Sequence, residues 1–251
     1  YNPKSYNRIV LICWILSVPL GLILVKGGLF FSQIPERNYG GIILTLMLTG
    51  TSLLYSLPLG ILLAIGRINS NKLCRKICAL YIDGMRAVPL ISVLFFGQLL
   101  IPLFLPQDIE ISRFDRAVFS FTIFVSAYIA EDIRGGIQAI PRTQKEAASA
   151  LGLGYWQILY IIIIPQALKT ALPALTNQSI GLLQNTSLMA ILGLIELLGI
   201  SQSLLANPKF IGRHFEVYLW LGFIYWLLCT IVALISKTIE SKTTHLKLKK
   251  S

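Results

Sequence analysis

Long apolar runs alternate with shorter polar segments along the chain, and this pattern predicts a bundle of membrane-spanning helices. A helix needs about 20 predominantly apolar residues to cross the roughly 30 Å hydrocarbon core of a bilayer. The predicted fold is therefore an all-α integral membrane protein with a single transmembrane domain over residues 1–251. Six transmembrane helices are predicted, with apolar segments at 9–25, 42–65, 80–105, 117–130, 168–191 and 217–236.

Glycine positions and segment length add detail to this prediction. The third segment, 80–105, is predicted to be one crossing, and the fourth is predicted to continue to a break at Gly135-Gly136. The apolar segment 155–164 would be only about 15 Å long as a helix, so it is predicted to lie at the membrane interface. Residues 192–207 are predicted to form a short helix or lid.

A short alanine-rich helix is predicted between the fourth and fifth spans. Thr143 and Glu146 have the spacing of a capping box, and Gly152 stands where a left-handed C-cap favours glycine. The alanines are strong helix formers, and their small side chains let another surface approach closely. By periodicity alone, the segment is equally compatible with an amphipathic connector between two spans.

Composition and charge indicate a membrane protein with a defined orientation. With 55% hydrophobic and only 13% charged residues, the chain is unlike a soluble domain of this size. The net charge of +11 is carried by residues that flank the apolar segments, so no nucleic-acid partner is predicted. The side that holds both termini and the alanine-rich helix carries fourteen of the Lys and Arg residues, against six on the other side. The excess predicts that both termini and that helix are cytoplasmic.

No group of residues indicates an enzyme. Cys74 and Cys78 have no histidine nearby, so no metal site is predicted, and His214 and His245 are isolated. The sequence has neither a phosphate-binding Gly-x4-Gly-Lys-Ser/Thr motif nor a nucleophile paired with a base. No catalytic residue and no bound cofactor are predicted. If ATP drives this protein, another chain hydrolyses it.

The fifth span is unusually polar. Steps of three, four and seven residues nearly superpose on a helix, so its amides fall on one broad face. Amides facing lipid without partners would each cost on the order of 1–3 kcal/mol, so this face must meet protein or a wet cavity. Two interpretations stay open, a substrate path and contact between helices. The candidate path residues are Asn177, Gln178, Gln184, Asn185, Thr186 and Ser187.

The alanine-rich helix belongs to a longer pattern. Glu146-Ala147-Ala148, three residues, Gly152, nine residues, Ile162, one residue, and Ile164-Pro165 together resemble the EAA loop of ABC importer permeases. In that family the loop forms a cytoplasmic coupling helix that sits in a groove on the ATP-hydrolysing subunit. The resemblance implies a type I ABC importer permease fold. The coupling residues it implies are Glu146, Ala147, Ala148, Ala150, Leu151 and Gly152.

Further motifs resemble permeases of the histidine/glutamine/arginine type. Arg86-Ala87-Val88-Pro89-Leu90 and Ala127-Tyr128-Ile129-Ala130-Glu131 correspond to two motifs of that family, and the resemblance covers about residues 40–240. Residues 9–25 then form an additional N-terminal span. The family often has glutamate where this chain has Gln178, and neutral amides supply donors and acceptors without fixed charge. Neutral or polar amino acids are therefore the expected substrates, with no buried carboxylate to pair a cationic side chain.

The resemblance also implies partners. These are a second permease subunit, two ATPase subunits that bind ATP and Mg²⁺, and an external substrate-binding protein, all at the cytoplasmic (inner) membrane. The long first loop resembles the general L-amino-acid branch, whose permeases work as unlike pairs, so the second permease is expected to be a different chain. The alternative function is a self-sufficient secondary transporter or channel, a class that usually shows inverted repeats or intramembrane ionisable residues.

Overall fold

The computed structural model describes residues 40–69, 71–106, 109 and 111–248, with side chains up to residue 241. The predicted N-terminal span, 9–25, lies outside these residues. Within the described part the chain is helical, with one isolated bridge between Gly41 and Glu196. The helices, in chain order, are α1 (Gly41–Arg67), α2 (Lys72–Ala87), α3 (Leu90–Phe104), α4 (Arg113–Gln138), α5 (Arg142–Ala150), α6 (Tyr155–Ala190), α7 (Leu197–Leu205) and α8 (His214–Leu248).

The core lies where α1, α4 and α6 pack together. Leu48 of α1, Phe121 of α4 and Leu182 of α6 are almost fully buried. Helix α1 also buries a row of hydroxyl side chains; Thr49, for example, donates to the carbonyl of Thr45 (2.8 Å). Such bonds to the preceding turn satisfy a hydroxyl inside an apolar environment. The central layer of the bundle is therefore mixed in polarity although its helices are mainly apolar.

The third predicted span is not one helix. Helices α2 and α3 meet at an angle of 104°, and Val88 between them is extended, with ψ 137°. Proline disfavours the helical conformation of the residue before it, so Pro89 forces the turn. The segment 80–105 is therefore divided between two helices, and its single crossing stays a prediction.

The predicted break at Gly135-Gly136 is also wrong, because α4 continues through both glycines to Gln138. At Gly136, an added Cβ would lie 2.5 Å from the carbonyl oxygen of Ala167 in α6. Nothing lies within 4 Å of such an atom at Gly135. Gly136 thus serves the close approach of two helices, not a turn.

Helix α6 joins two segments that were predicted separately. The apolar stretch 155–164 runs without interruption into the fifth span, through a π-helical segment at Ile158–Ile163. Proline disrupts an α-helix because it lacks an N–H and contacts the carbonyl four residues earlier. The wider π turn before Pro165 accommodates this residue. The prediction that 155–164 is separate from the fifth span is therefore wrong, and its position at the membrane interface stays a prediction.

Three helices in the described part are long and apolar enough to cross a membrane, namely α1, α6 and residues His214–Ser241 of α8. Counting the bent pair α2–α3 as one span raises the number to four. The predicted short helix within 192–207 is present as α7. The count of six crossings stays a prediction.

Candidate functional site

Helix α5 ends in a glycine with a left-handed backbone. Gly152 has φ +78°, a conformation that costs other L-residues about 1–2 kcal/mol. Its amide donates to the carbonyl of Ser149 (3.0 Å), and the amide of Leu153 donates to the carbonyl of Ala148 (3.2 Å). These two bonds are those of a Schellman motif. The predicted glycine C-cap is present.

The start of α5 differs from the prediction. The helix begins at Arg142 with Pro141 as its N-cap, and no side chain caps it. Thr143 and Glu146 are therefore both inside the helix, and the predicted capping box is wrong. Proline fixes φ near the helical value and brings no amide that needs a partner, so Pro141 can start the helix without a capping hydroxyl.

One side of α5 is held against the bundle and the other side is open. Ala148 is buried (3% exposed), and Oε1 of Gln144 accepts from Nε2 of Gln166 in α6 (2.8 Å). Leu151 is 82% exposed. The other exposed members of the predicted coupling set are Glu146, Ala147, Ala150 and Gly152.

A cavity of about 670 Å³ lies beside α5. Apolar residues of α4 and α6, among them Ile137 and Ile158, form part of its wall, and Arg142 and Lys145 of α5 complete it. Helix α5 is thus attached mainly through Ala148 and Gln144 and leaves space between itself and the bundle.

Charged side chains of α1, α2 and α4 meet at the end of the bundle nearer α5. The Glu131 carboxylate accepts from Nε of Arg134 (2.9 Å) and lies 3.3 Å from Nη1 of Arg67 and 3.8 Å from Nη1 of Arg86. The same Arg67 nitrogen is 2.9 Å from Asp83. The Glu131–Arg134 contact joins two residues three positions apart on α4. Arg67 and Arg86 also approach Glu131, so the cluster links α1, α2 and α4. The sequence alone does not show that these side chains meet.

The polar face of α6 is not uniform. Asn177 and Gln184, seven residues apart, are exposed. Gly181 between them has nothing within 4 Å of where a Cβ would lie. Nε2 of Gln184 is 3.7 Å from Sγ of Cys229 in α8. These residues form an open polar stripe along the helix.

The last predicted path residues lie closer to the bundle. Thr186 is fully buried and donates to the carbonyl of Leu183 (2.7 Å). Ser187 donates to the carbonyl of Gln184 (2.8 Å), and Asn185 is partly buried. Both hydroxyls therefore use their donor on their own helix, and the role of all three in a path stays a prediction.

Gln178 leads to a residue that the sequence did not indicate. Its Nε2 donates to Oδ2 of Asp132 in α4 (3.1 Å), and both side chains are partly buried. A partly buried carboxylate of α4 therefore lies beside this face, which the sequence analysis did not expect. The sequence contains one indication of this residue: a second acid directly follows Glu131 at the end of an apolar run, which is unusual in a membrane protein.

A fully buried carboxylate lies at the opposite end of the bundle. Glu196, 0% exposed, is the N-cap of α7 and accepts from the amides of Leu198 (2.9 Å) and Gly199 (3.0 Å) and from the hydroxyl of Tyr225 (3.1 Å). Burial raises the pKa of Glu196, and these hydrogen bonds oppose the increase. The contact with Tyr225 fixes the start of α7 against α8.

Comparison with known proteins identifies relatives. The chain is 39% identical over 220 residues to the inner membrane amino-acid ABC transporter permease protein YhdY of Escherichia coli (strain K12), with 87% of this chain and 60% of that protein covered. It is 40% identical over 211 residues to the glutamate/glutamine/aspartate/asparagine transport system permease protein BztC of Rhodobacter capsulatus, with 84% and 49% covered. The chain thus spans about half to 60% of the length of these two relatives.

A solved structure that resembles this chain is described, like these relatives, as an amino-acid transporter. The chain matches one described as an amino acid ABC transporter crystallised with histidines, with a TM-score of 0.71 and 30% identity over 80% of this chain and 92% of that one. The family described as the inner membrane component of binding-protein-dependent transport systems matches residues 56–245. The all-helical fold is therefore that of an ABC transporter permease. The chain belongs to the family of binding-protein-dependent transport system inner membrane components.

Proposed function

We propose that this chain is the permease subunit of an ATP-driven amino-acid importer, forming the translocation path and coupling to a separate ATPase. The observation that carries the proposal is the exposed surface of α5. Leu151 is 82% exposed although it is apolar, and exposed alanines lie beside it on a helix that ends in a fixed Schellman motif. We infer that a partner covers Leu151 together with these alanines, whose small side chains let another surface approach closely.

The partner that fits this surface is an ATPase subunit. The family membership and the EAA-loop pattern support that assignment. The complete importer would contain a second, different permease chain, two ATPase subunits and an external substrate-binding protein. ATP and Mg²⁺ would bind to the ATPase subunits, and this chain would bind no cofactor and catalyse no reaction.

Amino acids are the proposed substrates. The two relatives and the solved structure reported above are described as amino-acid transporters. The polar stripe of α6 supports this proposal, because amides offer both hydrogen-bond donors for a carboxylate and acceptors for an ammonium group. The proposed path residues are Asn177, Gln178, Gln184, Asn185, Thr186 and Ser187.

The proposed arrangement in the membrane is one permease domain over residues 1–251 with six spans, its core at about 40–240. Both termini and α5 would be cytoplasmic, in agreement with the fourteen Lys and Arg residues assigned to that side. Helix α5 would then be the coupling helix, at the surface that a cytosolic ATPase can reach.

Two connections would carry motion from the ATPase to the path. Residues 151–154 join α5 to α6 directly, and the Gln144–Gln166 hydrogen bond links the two helices side by side. Helix α6 then runs unbroken to Ala190 and carries the polar stripe. When α5 moves with the ATPase, α6 moves with it, as the alternation between inward and outward access requires.

The test is co-purification of a Leu151→Asp variant with the ATPase subunit from membranes that contain the complete importer. A charge on the covered apolar surface should reduce the recovered ATPase by about tenfold, since charges are depleted at the core of an interface. The matched control is Ile211→Asp, which adds the same charge at a residue that is 74% exposed. In the proposed orientation this residue lies on the side of the membrane away from α5. The control should recover the ATPase fully, and equal recovery by both variants would show that α5 is not the docking surface.

A further inference from the structure

Helix α2 exposes a row of apolar side chains. Leu73, Ile77 and Leu80 are spaced by four and three residues, so they lie on one face of the helix, and each is 59% to 76% exposed. Ile82 lies on the opposite side of α2 and is fully buried in the bundle. The apolar row is therefore not the face that attaches α2, and its surface is left for a partner.

Basic side chains lie beside the apolar row. Lys72 and Lys76 are four residues apart and share a face, and both are exposed, as is Arg75. Helix α2 has no acidic residue before Asp83. That carboxylate lies 2.9 Å from Arg67 of α1, which balances its charge. The first half of α2 thus carries a positive surface next to an apolar one.

The direction of α2 suits the surface of a membrane. Its axis makes an angle of 104° with α3, and α3 exposes apolar side chains along its length, among them Phe96, Leu99 and Leu103. A helix that exposes such a surface in a membrane protein is covered by hydrocarbon. When α3 points into the bilayer, α2 therefore lies close to the membrane plane, which is where amphipathic helices with basic polar faces bind.

A groove inside the bend between α2 and α3 continues the apolar row. It encloses about 530 Å³, and its mainly apolar wall includes Leu80, Gly84 and Met85 of α2, Phe96 of α3 and Ile123 of α4. Gly84 follows Leu80 on the same face, and nothing lies within 4 Å of where its Cβ would be. Because Leu80 and Phe96 line the same groove, the apolar row faces the side of α2 on which α3 lies. This is the side of the acyl chains when α3 enters the bilayer.

We propose that α2 binds an anionic phospholipid at the cytoplasmic surface of the membrane. The headgroup phosphate lies at Lys72 and Lys76, and an acyl chain follows the apolar row from Leu73 into the groove. This ligand fits both surfaces of α2, because it joins a negative group to an apolar chain. A soluble phosphate compound would leave the apolar row uncovered, and a neutral lipid would leave the lysines without an opposite charge. The site is independent of the solute that the protein carries.

The experiment places the photoreactive residue benzoylphenylalanine at Ile77, in the apolar row, within the complete importer. The importer is reconstituted in vesicles of phosphatidylcholine with about one fifth phosphatidylglycerol, an anionic lipid. After illumination, mass spectrometry identifies the adducts on this chain. The variant Lys72→Gln/Lys76→Gln removes both charges and keeps good helix formers. The matched control, Lys209→Gln/Arg213→Gln, removes two exposed basic residues between α7 and α8.

With both lysines present, adducts of phosphatidylglycerol should exceed the share of this lipid in the vesicles by about fivefold or more, since each basic residue near the surface favours an anionic lipid by about that factor. The variant Lys72→Gln/Lys76→Gln should lower the enrichment to the vesicle composition. Its adducts with phosphatidylcholine should persist, because the apolar row is intact, and they show that the variant is folded in the membrane. The control should keep the full enrichment.

Three results would overturn the proposal. Adducts with another protein chain in place of lipid would show that a partner subunit covers the apolar row. Equal enrichment in the two double variants would show that Lys72 and Lys76 do not select the headgroup. Lipid adducts that match the vesicle composition with both lysines present would show a lipid-facing surface without an anionic site.

Discussion

Gly152 shows how one residue determines the end of a functional helix. Its φ of +78° lets the amides of residues 152 and 153 reach back to two otherwise unpaired carbonyls of α5. This feature was predictable from the sequence, because a glycine directly after a run of helix-forming residues indicates a C-cap. The N-terminus of the same helix was not, because Pro141 takes the place of the capping hydroxyl that the sequence offers.

Replacing Gly152 with alanine should uncouple ATP hydrolysis from transport. The new Cβ would have open space around it, so the cost of about 1–2 kcal/mol is that of the left-handed backbone. Relief of this strain changes the path of residues 151–154, and we expect transport in reconstituted vesicles to fall by about fivefold or more while ATP hydrolysis continues.

The control for this variant is Gly154→Ala, two residues further on. Gly154 has φ −69°, which alanine adopts without strain, and an added Cβ would make one ordinary contact, at 3.7 Å. Transport by Gly154→Ala should equal that of the wild type. A Gly152→Ala subunit that transports at the wild-type rate would argue against a role for the C-cap in coupling.

At the level of elements, local sequence signals predict where a helix exists better than they predict where it bends. Glycine pairs and prolines both count as breakers, yet Pro89 breaks a helix here while Gly135-Gly136 and Pro165 do not. The difference is tertiary. Gly136 allows α4 to contact α6, and the π segment before Pro165 accommodates a proline that has no N–H to donate. Neither condition can be read from the local pattern.

The contact at Gly136 gives an element-level prediction. Gly136→Ala should push α4 and α6 apart, because the new Cβ would meet a backbone oxygen at 2.5 Å that cannot move alone. Overpacking of this kind costs about 1–3 kcal/mol, which corresponds to a fall in Tm of several degrees for a chain of this size. Thermal unfolding of the purified complex measures the shift.

Gly135→Ala is the matched control, since the same atom would meet nothing within 4 Å. It replaces glycine by the best helix former, so Tm should stay the same or rise slightly. Equal losses in both variants would mean that glycine flexibility, not close packing, is what this part of α4 requires.

For the whole molecule, the helical class and the membrane setting were predictable because they depend on composition and on the length of apolar runs. The surroundings of the polar face were not. Asp132 and Gln178 are 46 positions apart, and the arginines around Glu131 come from three helices. Such pairings depend on how helices rotate against each other, which the pattern of a single chain leaves open.

The orientation of the whole molecule can be tested with single cysteines in a cysteine-free background. Cysteine at Arg75, an exposed position near the start of α2, should react in intact cells only with membrane-permeant thiol reagents. Cysteine at Arg213, exposed before α8, should react with impermeant reagents too. Labelling of the first position by an impermeant reagent would contradict the proposed orientation, and permeabilised cells provide the control for reactivity.

The π-helical segment at Ile158–Ile163 lies between α5 and the polar stripe of α6, so it bears on the direction in which α5 points relative to that stripe. Each residue of an α-helix turns the chain by about 100°, and a π turn holds more residues than an α turn. The segment therefore holds about one residue more than a regular helix would, without changing the direction of α5 relative to the polar stripe. Deleting one isoleucine there would restore a regular helix with α5 in nearly the same direction. Deleting one residue from the α-helical stretch between Pro165 and Asn177 would instead turn α5 by about 100°, leaving two intact surfaces that no longer point in compatible directions.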